Sequence, residues 1–289
     1  MISPLIPYFG SKSGISSWII GHFPTHIIFV DVFGGSGAMI LAKSPSQAEV
    51  FNDLFIEITN LYRVVRDDDK RDELLFLLHN TPYSRPDFDL CIESLKLDEP
   101  PKSDAWRAWR YLVVSRLGWA GVTSGLKRFV KADMSGGMSR LESRMSRWPV
   151  GEWEYLLKSV ADRFRNVVIE NRDFRRLIPS LDSPSTLFYC DPPYVISDRA
   201  RDEETYKHEM TDSDHVEFAN LVHNSKGMFA ISGYHGLYDT LFADWECKEI
   251  VTPAYVSDSN LLEDGRRTSR TECLWLSPSC LINSQLRLF

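Results

Sequence analysis

The sequence predicts an α/β fold, a mostly parallel sheet flanked by helices, with a mainly helical subdomain inserted into it. Three observations point there. Short β-type apolar runs recur with helical stretches between them. A glycine-rich turn follows the first of these runs directly. About a hundred residues separate the second run from the third, far more than a crossover in a compact sheet needs. The composition agrees. With 43% hydrophobic and 25% charged residues over 289 positions, the chain is of globular type and long enough to bury roughly 70–75% of its unfolded surface. A collagen-like repeat, a disordered tail and a small disulfide scaffold are excluded.

The elements follow in order. Ile27-Ile28-Phe29-Val30-Asp31 reads as the first strand, running into Phe33-Gly34-Gly35-Ser36-Gly37 and a helix-compatible Ala38 to Ala42. Ala48-Glu49-Val50-Phe51 is the second, ending at Asn52-Asp53, with apolar residues at helical spacing from Ile56 to Val65. Val167-Val168-Ile169-Glu170 is the third, ending near Asp173, and Thr186-Leu187-Phe188-Tyr189-Cys190 the fourth, ending at Asp191-Pro192-Pro193-Tyr194. Met228 to Ser232 is the fifth, and Lys248 to Val251 and Glu272 to Leu276 supply the last two. This divides the chain into 1–66 and 160–289, which carry the sheet, and 67–159, the insert. No internal repeat or low-complexity tract interrupts it.

No apolar run approaches the ~20 residues of a membrane span. No basic leader precedes an apolar stretch at the start, so no secretory signal is expected. The five cysteines are odd in number and widely spaced, without a C-x-x-C pair, which predicts a reduced, cytoplasmic chain with no zinc site. Asp67-Asp68-Asp69 reads as a solvated helix end rather than a metal site, and no metal is expected. His208 and His215 receive no role.

The charge is segregated. The chain carries a formal −7, yet between Ala105 and Trp148 nine basic residues face only Asp133 and Glu142, leaving +7 there and −14 elsewhere. A basic block in an acidic protein is the footprint of a phosphate-backbone partner; the alternative is a solvated helical face. Arg107, Arg110, Arg116, Lys127, Arg128, Arg140 and Arg144 are the candidate nucleic-acid contacts, with base reading placed around Arg116 to Arg128. Trp106 and Trp109 are expected to face a core.

Two constellations carry chemistry. The turn at Asp31 to Gly37 offers helix N-terminal amides and close backbone approach. Asp53, ending the next strand, can accept both hydroxyls of a ribose. Together they predict an adenosine-containing ligand, a dinucleotide and S-adenosyl-L-methionine fitting equally well. Asp191-Pro192-Pro193-Tyr194 is more specific. Two prolines end the strand abruptly, since neither donates to the ladder. An aspartate before them and an aromatic after them place two acceptors and a stacking face within four residues. That suits a planar, amino-bearing heterocycle: Asp191 and the Pro192 carbonyl accept the two amino hydrogens while Tyr194 stacks on the ring.

On these residues the chain resembles the Dam-type family of DNA adenine methyltransferases. Asp191-Pro192-Pro193-Tyr194 matches the family's catalytic tetrapeptide and Phe33 to Gly37 its cofactor loop. Asn52-Asp53 with Leu61-Tyr62 is similar to its second cofactor motif, and Pro7 to Lys12 to its opening motif, with Phe9 and Ser11 departing from the usual small residue and glycine. Arg116 to Gly121, with Ala120 at a usual asparagine, Asn171-Arg172-Asp173-Phe174, and Arg267 to Trp275 resemble further segments in order.

The resemblance implies a Rossmann-like methyltransferase with a target-recognition insert, acting on adenine in double-stranded DNA with S-adenosyl-L-methionine as cofactor. The implied cofactor set is Tyr8, Gly10, Lys12, Asp31, Phe33, Gly34, Gly35, Ser36, Gly37, Asp53, Asp173, Phe174 and Asp191. Within it Tyr8 packs on the cofactor, Lys12 faces its methionine carboxylate and Asp53 holds its ribose. An adenine inside a duplex cannot reach such a cleft, so the base must be flipped out. A bacterial or phage origin, a monomer in solution and a restriction endonuclease as partner in the same system are the accompanying expectations. Methylation of another planar amino group (RNA adenine or a protein amide) and a catalytically inactive DNA-binding relative remain open, with a nicotinamide dehydrogenase behind them.

Overall fold

The computed structural model describes residues 2–8, 10–81, 84–97, 100–118, 148, 151–194, 209–253 and 269–285. Among these, seven strands form one sheet: β1 (Ile28–Asp31), β2 (Ala48–Asn52), β3 (Val167–Glu170), β4 (Thr186–Cys190), β5 (Met228–Gly233), β6 (Glu246–Pro253) and β7 (Ser269–Leu276). Their order is β3-β2-β1-β4-β5-β7-β6. β1 to β5 are parallel, while β7 runs antiparallel between β5 and β6. The runs read from sequence as strands all lie in this sheet. β6 and β7 extend beyond the expected stretches, because their outer ends are polar and partly exposed and carry little apolar pattern.

Both faces of the parallel strands are covered, which is why they read as continuous apolar runs rather than alternating ones. Phe29, Phe51, Leu187 and Tyr189 point to one face, and Val30, Val50, Phe188 and Cys190 to the other, following the two-residue period of a strand. The second face is closed by α8 (Phe174–Leu181), α9 (Asp212–His223) and α10 (Leu237–Leu241). The first is closed by α1 (Ser16–Gly21), α2 (Ala38–Ala42), α3 (Ile56–Arg66) and α7 (Trp153–Phe164), with α11 (Pro278–Gln285) against the end of the sheet.

Three helices of the expected insert, α4 (Asp68–His79), α5 (Arg85–Lys96) and α6 (Asp104–Leu117), join that same layer, α4 and α6 packing on α3 and α5 on α6. Leu74, Leu78, Phe88, Ile92 and Tyr111 are buried in one apolar cluster with Phe29 and Phe51 of the sheet. Each of these helices starts on a side-chain cap: Asp67, Ser84 and Ser103 accept from backbone N–H groups of their first turns. The boundary expected at 159/160 falls inside α7, whose buried face runs unbroken through Trp153, Leu157, Val160, Ala161 and Phe164. No described helix is long and apolar enough to cross a membrane.

The order of strands reverses at β1: β2 and β3 lie in sequence on one side of it, and the chain then crosses to β4 and β5 on the other. A crevice opens beyond the carboxyl ends of strands at such a point.

Candidate active site

The strand ends converge there. Asp31 ends β1, Asp53 follows β2, Asp173 follows β3 and Asp191 follows β4. β7 enters from the opposite direction, so its first half, with Glu272, comes to lie beside the carboxyl end of β5. The resulting cleft encloses about 1180 Å³, solvent at its mouth included. Of the residues expected to bind a cofactor, Tyr8, Gly10, Lys12, Asp31, Phe33, Gly34, Gly35, Ser36, Asp53, Asp173, Phe174 and Asp191 line it, together with Pro193. Gly37 stands behind them as the N-cap of α2, its N–H donating to the Gly34 carbonyl at 2.8 Å.

The turn between β1 and α2 is shaped by what surrounds it. A Cβ on Gly34 would lie 2.2 Å from the Phe51 ring, and one on Gly35, at φ +49°, would lie 3.0 Å from the Tyr8 ring. Tyr8 therefore rests directly on the turn. Ser11, which departs from the family's usual glycine, reaches the same turn through a 3.0 Å hydrogen bond with the Ser36 hydroxyl. The Tyr62 hydroxyl donates to the Ser36 carbonyl from α3. Asp53 accepts from Gly35 N–H at 2.8 Å and Phe55 N–H at 2.7 Å. Asn52 ties three strand ends together, donating to the Val32 and Arg172 carbonyls at 2.8 and 3.0 Å and accepting from Arg172 N–H at 2.9 Å.

The carboxylates of the cleft differ sharply. Burial pushes Asp53 up to about 6, in spite of its two backbone donors. Asp31 is 1% exposed and both its oxygens are without a hydrogen-bond partner among the described residues. Burial first, then the charges of Asp191 and Asp53, hold it well above the usual carboxylate range. Asp173 caps α8, accepting from Arg175 N–H at 2.8 Å and pairing with its guanidinium at 3.1 Å. Arg175 lies over the Phe174 ring at 4.5 Å and also pairs with Asp214 and Glu217.

Asp191 is pushed up to about 6, by burial first and by Glu272, against the opposing pull of Lys12. The Lys12 ammonium is buried and donates to Asp191 Oδ1 at 2.9 Å, the Tyr194 hydroxyl at 2.7 Å and the Gly10 carbonyl at 3.0 Å. Burial alone would lower its pKa, but the charges of Asp191 and Glu272 outweigh this and raise it. The resemblance turns Lys12 toward a cofactor carboxylate; here its three N–H groups are taken by Gly10, Asp191 and Tyr194. Tyr194 packs on Tyr234 with ring centroids 4.5 Å apart. Pro192, Pro193 and Tyr194 line a second, shallower recess with Ser232, Gly233, Tyr234 and Tyr238. The tetrapeptide thus forms the wall between two hollows.

Three of the expected DNA contacts are placed elsewhere. Arg110 is 1% exposed, donating to Ser94 Oγ of α5 at 2.9 Å and lying 3.5 Å from Glu57 of α3. Arg107 reaches the same Glu57 oxygen at 2.9 Å. Arg116 donates to the Leu5 carbonyl at 2.6 Å and lies over the Trp153 ring at 4.9 Å, and burial lowers its pKa to about 10. These arginines knit α6 to α3, α5 and the opening segment, and Arg110 is too deeply buried to reach a phosphate. Helical spacing puts Arg107 and Arg110 on one face of α6, and their acidic partner is contributed by a distant segment. Lys127, Arg128, Arg140 and Arg144 lie outside the described residues, as does His208. Trp109 packs against the core and donates to Thr81 Oγ1 at 2.6 Å. His215 is buried, its Nδ1 2.9 Å from the Tyr238 hydroxyl.

Sequence reasoning missed Glu272, Tyr234 and Ser11 as members of the site. Glu272 lay within a segment read only as a strand, although an acid among the apolar residues of β7 was a usable hint. No curated protein matched the chain. The sequence model of the D12 class N6 adenine-specific DNA methyltransferases matches residues 8–249, from Tyr8 on the glycine turn to Glu249 of β6, and the chain belongs to that family.

Proposed function

We propose that the protein transfers the methyl group of S-adenosyl-L-methionine to the exocyclic amino group of an adenine flipped out of double-stranded DNA. One observation carries this reading: the glycine turn, with its buried unpartnered Asp31 carboxylate, and the Asp191 corner line the same cleft. The donor set fits the cofactor. An orphaned carboxylate in a closed site is costly unless a cation meets it, and S-adenosyl-L-methionine carries two, an ammonium and a sulfonium. Tyr8, Gly10, Phe33 to Ser36, Asp53, Asp173 and Phe174 would hold it. When bound, it supplies an electrophilic methyl group.

The remaining work falls to this chain. The amino nitrogen of adenine is a poor nucleophile because its lone pair is delocalised into the ring. Asp191 accepts one amino hydrogen and the Pro192 carbonyl the other, which localises the lone pair and aims it across the cleft. This is alignment and charge stabilisation rather than prior deprotonation; the proton leaves to Asp191 or to water as the new bond forms. Tyr194, backed by Tyr234, supplies the stacking face that offsets the few kcal/mol of unstacking the base. Phosphate contacts fall to Lys127, Arg128, Arg140 and Arg144.

The test offers methyl-labelled cofactor with DNA, RNA and protein in parallel and digests each product to its nucleosides or amino acids. Label in N6-methyladenine is the expected result. Label recovered only from RNA or from protein would replace the DNA reading by one of the other planar amino groups.

A further inference from the structure

Lys12, Asp191 and Tyr194 form a closed arrangement that the proposed chemistry has to open. The ammonium's three N–H groups are spent on Gly10 O, Asp191 Oδ1 and Tyr194 Oη. One of these acceptors, Asp191, is also the group that the amino hydrogens of an incoming adenine would engage. A buried ammonium stripped of charge-assisted hydrogen bonds would resist that arrival.

The next anionic oxygen is Glu272 Oε2, 3.7 Å from the ammonium. It is buried and, among the described residues, has no hydrogen-bond partner, whereas Oε1 of the same group accepts from the Tyr234 hydroxyl at 2.9 Å. Glu272 is therefore anchored from one oxygen and presents the other, vacant, to Lys12. A shift of about 1 Å by the flexible lysine head would bring the two within charge-assisted bonding distance.

We propose that Glu272 is a positioning residue for methyl transfer, taking the Lys12 ammonium over from Asp191 when the target amino group arrives. The inference rests on the reading that Asp191 receives the adenine amino group. It assigns Glu272 to the transfer step rather than to cofactor or DNA binding. A competing destination for Lys12 is the cofactor's own carboxylate, in which case Glu272 has no part in the exchange.

The experiment measures single-turnover methyl transfer to DNA with wild type, Glu272→Gln, Glu272→Asp and Asp191→Ala, with cofactor and DNA dissociation constants taken on each. Glu272→Gln keeps the shape of the side chain but not its charge, while Glu272→Asp keeps the charge but draws it back. The expected result is a roughly 10- to 100-fold slower step for Gln, the range of one lost charge-assisted hydrogen bond, with a smaller loss for Asp and both dissociation constants within about twofold of wild type. A purely structural role gives the opposite ranking, Gln harmless and Asp harmful. That ranking, equal damage from both, or a wild-type rate for Gln overturns the proposal. Should Asp191→Ala retain substantial activity, the reading beneath it fails instead; Asp191→Ala inactive with Glu272→Gln unimpaired sinks only the role of Glu272.

Discussion

Asp191 shows how environment sets chemistry at the level of one side chain. Burial raises its pKa to about 6 and Lys12 limits the rise. A protonated Asp191 offers one acceptor fewer to an amino group, so the single-turnover rate is expected to fall as pH is lowered through about 6 and to level off above it. A rate that stays flat from pH 8 to pH 5 would remove Asp191 from the transfer step. Asp31 gives a second test. Its pKa is held high by burial, so it carries a proton further up the pH scale than an ordinary carboxylate does. A cationic cofactor favours its ionised form, so binding should release protons, and affinity should weaken as pH falls. Calorimetry in buffers of different ionisation enthalpy measures that release, and Asp31→Asn should reduce it. For Tyr194 a ring matters more than a hydroxyl: Phe should keep most of the activity and Ala little of it, read as kcat/KM, and equal damage from both would exclude stacking.

Secondary-structure elements show where reading the chain succeeds and where it stops. The strands, the glycine turn and the proline corner are local patterns, so their positions and even their strand ends could be read from neighbouring residues. A Cβ at Gly34 would collide with the Phe51 ring, and Gly34→Ala should cost about 1–3 kcal/mol of stability by overpacking, seen as a lower denaturation midpoint. The pairing of Arg107 and Arg110 was not legible for the opposite reason. Glu57 lies some fifty residues before Arg107 and Arg110 in the chain, on α3, and only the packing of α3 on α6 brings the three together. Arg110→Ala should destabilise the fold by roughly 3–5 kcal/mol, the cost of breaking a buried pair, while leaving the salt dependence of DNA binding unchanged. Glu272 escaped notice in the same way, since β7 had to be placed antiparallel beside β5 before its acid could meet Lys12.

Across the whole molecule, the reversal of strand order at β1 gathers residues from positions 8 to 214 around one cleft. The net charge of the chain is negative, so attraction to DNA has to be local. Neutralising Lys127, Arg128, Arg140 or Arg144 should flatten the slope of log affinity against log salt by about one per lost contact; an unchanged slope would place the DNA on another surface. The arrangement as a whole requires the proline corner to face the reacting amino group. The most direct measurement is the single-turnover rate of Asp191→Ala beside its affinity for S-adenosyl-L-methionine. A rate lower by about 10³-fold or more, in a folded protein that still binds the cofactor, is the expected outcome. A rate within tenfold of wild type would contradict it.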